Sequence, residues 1–180
     1  MLRLEDEIDL AHWRTLSSGL PSQRVSAEFP TEKDCQDWFS LNTWPEGCTC
    51  PKCAVRRVWF LETRNLIQCS GCDHHFSARS VSRLRGRRVS LRSCFLGAEF
   101  IIETTAAGKH HIQTIERFQK IVDLSYRPAR SLRIEMFEEL KKPLGGFWGG
   151  LVCINEMDET HYIENRLDEL LEYHGFGDIE

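Results

Sequence analysis

Apolar residues recur at helical spacing over most of the chain, with one short break to a period of two. Leu4, Ile8, Leu10 and Trp13 predict a helix over 1–15, and SSGLPSQ after it reads as a linker. Thr31 is a good N-cap, the turn after it is acidic, and Cys35, Trp38, Phe39 and Leu41 supply a buried stripe. RVWFLE (57–62) and NLIQC (65–69) are β-rich runs that predict a hairpin, and HHFSA adds a third strand. Helical spacing returns in SLRSCFLGAEFIIETT, with Phe95, Leu96, Phe100 and Ile101 on one face. Two further helices are expected over 111–123 and 128–141, joined at LSYRP. The first buries Ile112, Ile115, Phe118 and Val122; the second buries Leu132, Met136, Phe137 and Leu140. Gly145, Gly146, Gly149 and Gly150 read as a flexible break, and Ile163, Leu167, Leu170 and Leu171 as a last amphipathic helix stopped at Gly175.

The expected class is α+β, mostly α. A small four-cysteine zinc-ribbon β-hairpin module is flanked by helices and followed by a helix-turn-helix and an acidic C-terminal helix. Four segments follow: an acidic N-terminal helix and linker (1–28), a helix plus ribbon (29–78), a basic connector and helix-turn-helix (79–142), and a Gly-rich linker with an acidic helix (143–180).

Charge sharpens this division. The net charge of −4 conceals −5 over 1–50, +8 over 51–92, +1 over 93–142 and −8 over 143–180. A basic middle between acidic ends points to a polyanion partner. The apolar stretch Cys94–Ile102 is too short to cross a bilayer, and the acidic start MLRLEDEIDL lacks the form of a signal peptide. The expected location is the cytoplasm, at the nucleoid, where thiols stay reduced.

Cys50-Pro-Lys-Cys53 and Cys69-Ser-Gly-Cys72 enclose fifteen residues. Two matched CxxC pairs around a hairpin suit one structural Zn²⁺ held by Cys50, Cys53, Cys69 and Cys72. Each CxxC makes a tight knuckle whose amides point at sulfur. The same ligands also suit an Fe–S centre, and a redox CxxC is a further alternative. Cys48 is spare, because pairing it with Cys53 gives the poorer CxxxxC. His74 and His75 read as surface or supporting residues, and Cys35, Cys94 and Cys153 as small buried hydrophobes.

In the helical pair, Arg127, Arg130 and Arg133 recur every three residues near the start of the second helix, where a recognition helix reads the major groove. Arginine suits guanine edges and phosphates. Pro128 is expected at the first helical position. Arg56, Arg57, Arg85, Arg87 and Arg88 are the candidate phosphate contacts beside the ribbon.

FPTEKDCQDWFSLNTWPEGCTCPKC, RRVWFLETRNLIQCSGCDHHFS and VSLRSCFLGAEFI in this order resemble the zinc-ribbon start of bacterial insertion-sequence transposases. The resemblance runs over 29–102, weakens over 111–141 and thins beyond. It implies binding of transposon-end DNA through the ribbon and helix-turn-helix. In that family an RNase H-like domain follows, with three metal-binding acidic or amide residues and an Asp-Glu-Thr motif on its first strand. Asp158, Glu159 and Thr160 stand in the matching place, but Ile163 and Glu164 replace the small residues that follow. One aspartate cannot supply a two-metal nuclease, and the chain ends at Glu180 without room for its partners.

The expected function is therefore a transposase-derived DNA-binding protein without catalysis, a bacterial transcription regulator bound to double-stranded DNA and able to pair as a homodimer. One alternative is an adaptor that docks its acidic ends, chiefly the C-terminal helix, on RNA polymerase or another complex. Another is a truncated transposase fragment bound to transposon ends. The acidic tail is expected either to screen the basic middle or to aid solubility. No membrane partner is expected.

Overall fold

The computed structural model describes residues 4–61, 64, 66–109 and 112–157, with residues 4–9 by backbone alone. They form seven α-helices and one three-stranded antiparallel sheet, an α+β arrangement in which helix dominates. The expected acidic C-terminal helix lies outside the described residues. Thr31–Leu91 forms one compact unit, and the residues on either side of it form another.

In the first unit, Thr31 caps α3 (Glu32–Thr43) through a capping box. Its hydroxyl accepts from the Asp34 amide, and the Asp34 carboxylate accepts from the Thr31 amide at 2.9 Å. The Thr31 hydroxyl, then its amide, hold the Asp34 carboxyl below its ordinary value. Cys35 and Phe39 are buried, but Leu41, expected in the same stripe, is 58% exposed. Two residues turn a helix by about 200°, so Leu41 faces away from Phe39.

Strands β1 (Val58–Leu61), β2 (Leu66–Cys69) and β3 (His75–Phe76) pair in that order, in register Val58 with Cys69 and Ile67 with Phe76. Among the described residues, the core between knuckles and sheet is Cys50, Ile67, Cys69 and Phe76, with Trp44, Val55 and Val58 around it. Trp44 meets Phe76 edge-on at 5.8 Å. A core this small needs a covalent or metal staple. The basic stretch after β3 is folded onto this unit rather than extended. Arg79–Val81 makes a 3₁₀ turn, Leu84 and Val89 are buried, and the Arg79 guanidinium donates to the Val89 carbonyl.

In the second unit, α1 (Leu4–Gly19) buries Trp13 and Leu16, and Trp13 stacks on Phe137 at 5.3 Å. His12 Nε2 donates to the Leu140 carbonyl at 2.8 Å. The stretch expected as a linker after α1 is packed instead. Leu20, Val25 and Phe29 are buried, with a short α2 (Val25–Glu28) between them. The Val25 amide donates to Glu99 Oε1 at 2.8 Å, and Phe29 meets Phe95 edge-on at 5.3 Å. A serine- and proline-rich stretch looks like a linker locally, but its two or three apolar side chains each gain about 1.5–3 kcal/mol by burial.

Helix α4 (Leu91–Ala106) buries Phe95, Ala98, Ile101 and Ile102. Thr114 caps α5 (Ile115–Val122), which therefore begins four residues later than the apolar spacing implies. The preceding Gln113 is buried, and its amide donates to Thr104 Oγ1 at 2.7 Å and Thr105 Oγ1 at 2.6 Å. Residues 123–125, with Asp123 at φ 51°, join α5 to α6 (Tyr126–Leu140). Ala129, Leu132, Met136 and Leu140 are the buried face of α6. Pro128 is its third residue rather than its first, still within the turn whose N–H groups lack intrahelical partners.

The glycine run is the largest departure from the expected linker. Pro143–Gly145 is a 3₁₀ turn and α7 (Gly146–Val152) follows, with Trp148, Leu151 and Val152 buried. Two of the glycines are required by close approach. A Cβ on Gly149 would stand 2.1 Å from the Leu144 carbonyl oxygen, and one on Gly146 2.8 Å from that of Glu139.

Candidate metal centre and nucleic-acid interface

Sγ atoms of Cys50, Cys53, Cys69 and Cys72 lie within 4.8 Å of one another, the one such cluster of possible ligands among the described residues. Cys50 and Cys72 sulfurs are 3.7 Å apart, Cys53 and Cys69 sulfurs 3.4 Å. The two knuckles share one hydrogen-bond pattern. Ala54 N donates to Cys50 O (2.9 Å) and Asp73 N to Cys69 O (3.1 Å). Cys50 N donates to Val55 O and Cys69 N to His74 O, each at 3.0 Å. The amides of Lys52 and Gly71 point at the sulfurs of Cys50 and Cys69, at 3.4 and 3.3 Å.

Such amides favour thiolates, yet four adjacent thiolates need a cation. Burial raises the Cys50 thiol, but the Lys52 and Cys53 amides and the nearby thiols outweigh it and bring the group to about 7. The Val55 amide lowers Cys53, while the Cys69 and Cys72 sulfurs drive it up to about 12. A divalent ion resolves this conflict. Four converging sulfurs with no histidine or carboxylate among them are the donor set of one structural zinc ion, with no position left open for substrate.

Cys48 stands outside the cluster and packs against the ribbon core. Burial, then the neighbouring Cys50, raises its thiol. His74 stacks on Phe76 at 5.9 Å and His75 is exposed on β3; neither joins the sulfurs. Cys35 and Cys94 are fully buried, and Cys153 donates to the Leu16 carbonyl at 3.3 Å with burial pushing its thiol up to about 12.

In the ribbon unit, Arg56, Arg57, Arg85 and Arg88 are exposed and Arg87 is half-buried. Arg56 lies 3.6 Å from Glu46, and the Arg57 guanidinium sits 5.8 Å from the Trp59 ring centroid. Trp59 (56%) and Phe60 (68%) are open on β1.

On α6, Arg127 and Arg130 are exposed, whereas Arg133 is half-buried beside the packed face. Arg127 and Arg130 share a shallow depression with Tyr126, Ser131, Ile134 and Glu135. Sequence reasoning picked out the arginine triplet and missed Tyr126, Ser131 and Ile134. Spacings of four and seven residues from Arg127 carry the signal for the last two. The Asp158–Thr160 motif lies outside the described residues. No described helix is long and apolar enough to cross a membrane.

No curated protein and no solved structure matches the chain. Residues 30–75 match the family model of the transposase zinc-ribbon domain, so α3, both knuckles and the hairpin between them are similar to that domain.

Proposed function

We propose that the protein is a non-catalytic, transposase-derived DNA-binding protein acting as a bacterial transcription regulator. In this reading α5 and α6 are a helix-turn-helix, and α6 enters the major groove of double-stranded DNA. The observation that carries it is the exposure of Arg127 and Arg130 on the first two turns of α6, opposite a fully packed apolar face. Arg56, Arg57, Arg85, Arg87 and Arg88 hold phosphates, which position the protein, while contacts to bases specify the site. The likeness of residues 30–75 to a transposase zinc ribbon supports nucleic acid as the ligand. The closed four-thiolate centre supports a binding role over metal catalysis.

Binding of random and selected duplexes at several salt concentrations tests the proposal. Affinity should fall steeply with salt, because each neutralised phosphate releases counterions. If no duplex binds below micromolar at low salt, the reading fails. Arg130→Ala should relax sequence preference.

A second reading, in which the ribbon docks on a protein, is favoured by the exposure of Leu41 and Phe60 along a groove that Trp44, Leu66 and Ile67 also line. The double variant Leu41→Ser/Phe60→Ser separates the two. Regulation lost in cells with duplex affinity intact favours docking; regulation and affinity both retained removes it.

A further inference from the structure

The exposed face of α6 carries more than arginine. Each residue turns a helix by about 100°. Arg127, Ser131 and Ile134 therefore fall within roughly 60° of arc, with Arg130 on one flank and Glu135 on the other. Arg133 falls about 120° from Arg127, towards the packed face, and its half-buried state agrees. Ile134 is 49% exposed and Tyr126 is 51% exposed, although the apolar side of the same helix is fully satisfied by Ala129, Leu132, Met136 and Leu140. About half of the Ile134 surface is therefore left open beside the two exposed arginines.

We infer that Ile134 reads a thymine through its C5 methyl group, on the same face from which Arg127 and Arg130 read guanines. The inference rests on the proposal that α6 enters the major groove. The charge of the two arginines commits the face to a polyanion. Within a major groove, the apolar feature offered to a side chain is the thymine methyl. Arg127 and Ile134 are seven residues apart, about 10 Å along the helix axis at 1.5 Å per residue. That spans about three base-pair steps of 3.4 Å, so the thymine should lie about three steps from the guanine contacted by Arg127. Glu135 lines the same depression. Arg133, away from the stripe, is left for phosphate.

The test uses the full-length, zinc-loaded protein and duplexes selected from a random library. Each thymine of the selected site is replaced in turn by uracil, which removes only the C5 methyl. One replacement, about three steps from an essential guanine, should weaken binding about fourfold, the value of one buried methyl-sized group. Ile134→Ala should bind thymine and uracil duplexes equally, with its melting temperature unchanged. Ile134→Val, which keeps a branched apolar contact, should retain the discrimination. If every uracil is neutral, or the penalty survives in Ile134→Ala, the inference is overturned while binding through the arginines stands. A selected site without thymine overturns it too, as does a free protein whose oligomeric state changes with Ile134→Ala, since the face would then belong to a second copy. If no duplex binds, the underlying reading fails and this inference with it.

Discussion

Ala54 and Asp73 occupy equivalent positions, one directly after each CxxC pair, and both adopt the left-handed conformation, with φ 59° and 53°. The turn that aims the Lys52 and Gly71 amides at sulfur requires that conformation. Aspartate tolerates it, but alanine does so at a cost of about 1 kcal/mol. Ala54→Gly should therefore preserve zinc stoichiometry and raise the stability of the ribbon unit slightly. Ala54→Val should lower it by about 1–2 kcal/mol through crowding at positive φ. Thermal melts of the zinc-loaded protein check both.

The zinc centre is a folding element. Cys50→Ser or Cys69→Ser should abolish stoichiometric zinc and unfold the ribbon, because structural zinc contributes about 10–16 kcal/mol in comparable small modules. Cys48→Ser should keep one zinc per chain. Affinity should fall as pH falls, since protons compete for thiolate ligands. Chelator competition at pH 6.5 and 8 measures this, and equal affinities would contradict a four-thiolate site.

Glu99 gives the helical unit a pH dependence of opposite sense to a paired surface carboxylate. Burial raises its pKa, against the Val25 amide and Arg24, which lower it. The folded state thus holds the proton more tightly than the unfolded state. Stability should be greatest below the unfolded value and decline as pH rises through the folded one. Glu99→Gln keeps an acceptor for the Val25 amide and removes the charge. It should match the parent at pH 4, melt higher at pH 7.5 and show a flatter pH profile.

Gly149→Ala places a Cβ against the Leu144 carbonyl oxygen, which belongs to backbone and cannot swing away. A loss of about 1–3 kcal/mol is expected, as for other overpacked sites. Gly150→Ala, where a Cβ meets open space, should gain up to about 1 kcal/mol from helix propensity. Urea denaturation of the pair distinguishes a packed α7 from a flexible glycine linker.

What was legible in the chain was whatever local chemistry decides. The CxxC pairs, the hairpin between them and the Thr31 cap each depend on residues close in sequence, and the structure places them as read. The third strand was legible because His75 and Phe76 follow the second knuckle directly. The start of α5 shifted because the Thr114 cap outranked apolar periodicity, and α6 begins two residues before the expected 128.

The sequence by itself determined the four zinc ligands, because a tetrahedral thiolate site needs only two short turns and a hairpin. It also determined that two helices lie within 111–141, because Phe118, Val122, Leu132, Met136 and Leu140 recur at helical spacing, but not where the first begins. Only the tertiary structure decided what the ambiguous segments do. SSGLPSQ and the glycine run look alike to a local reading, as flexible connections, yet the first begins inside α1 and is pinned by its Leu20, and the other packs Trp148 through contacts that no side chain at Gly149 would permit. The tertiary structure likewise separated Arg133 from Arg127 and Arg130 and exposed Ile134 beside them. Which residues share an open face depends on what packs against the rest of the helix, and those partners are distant in the chain.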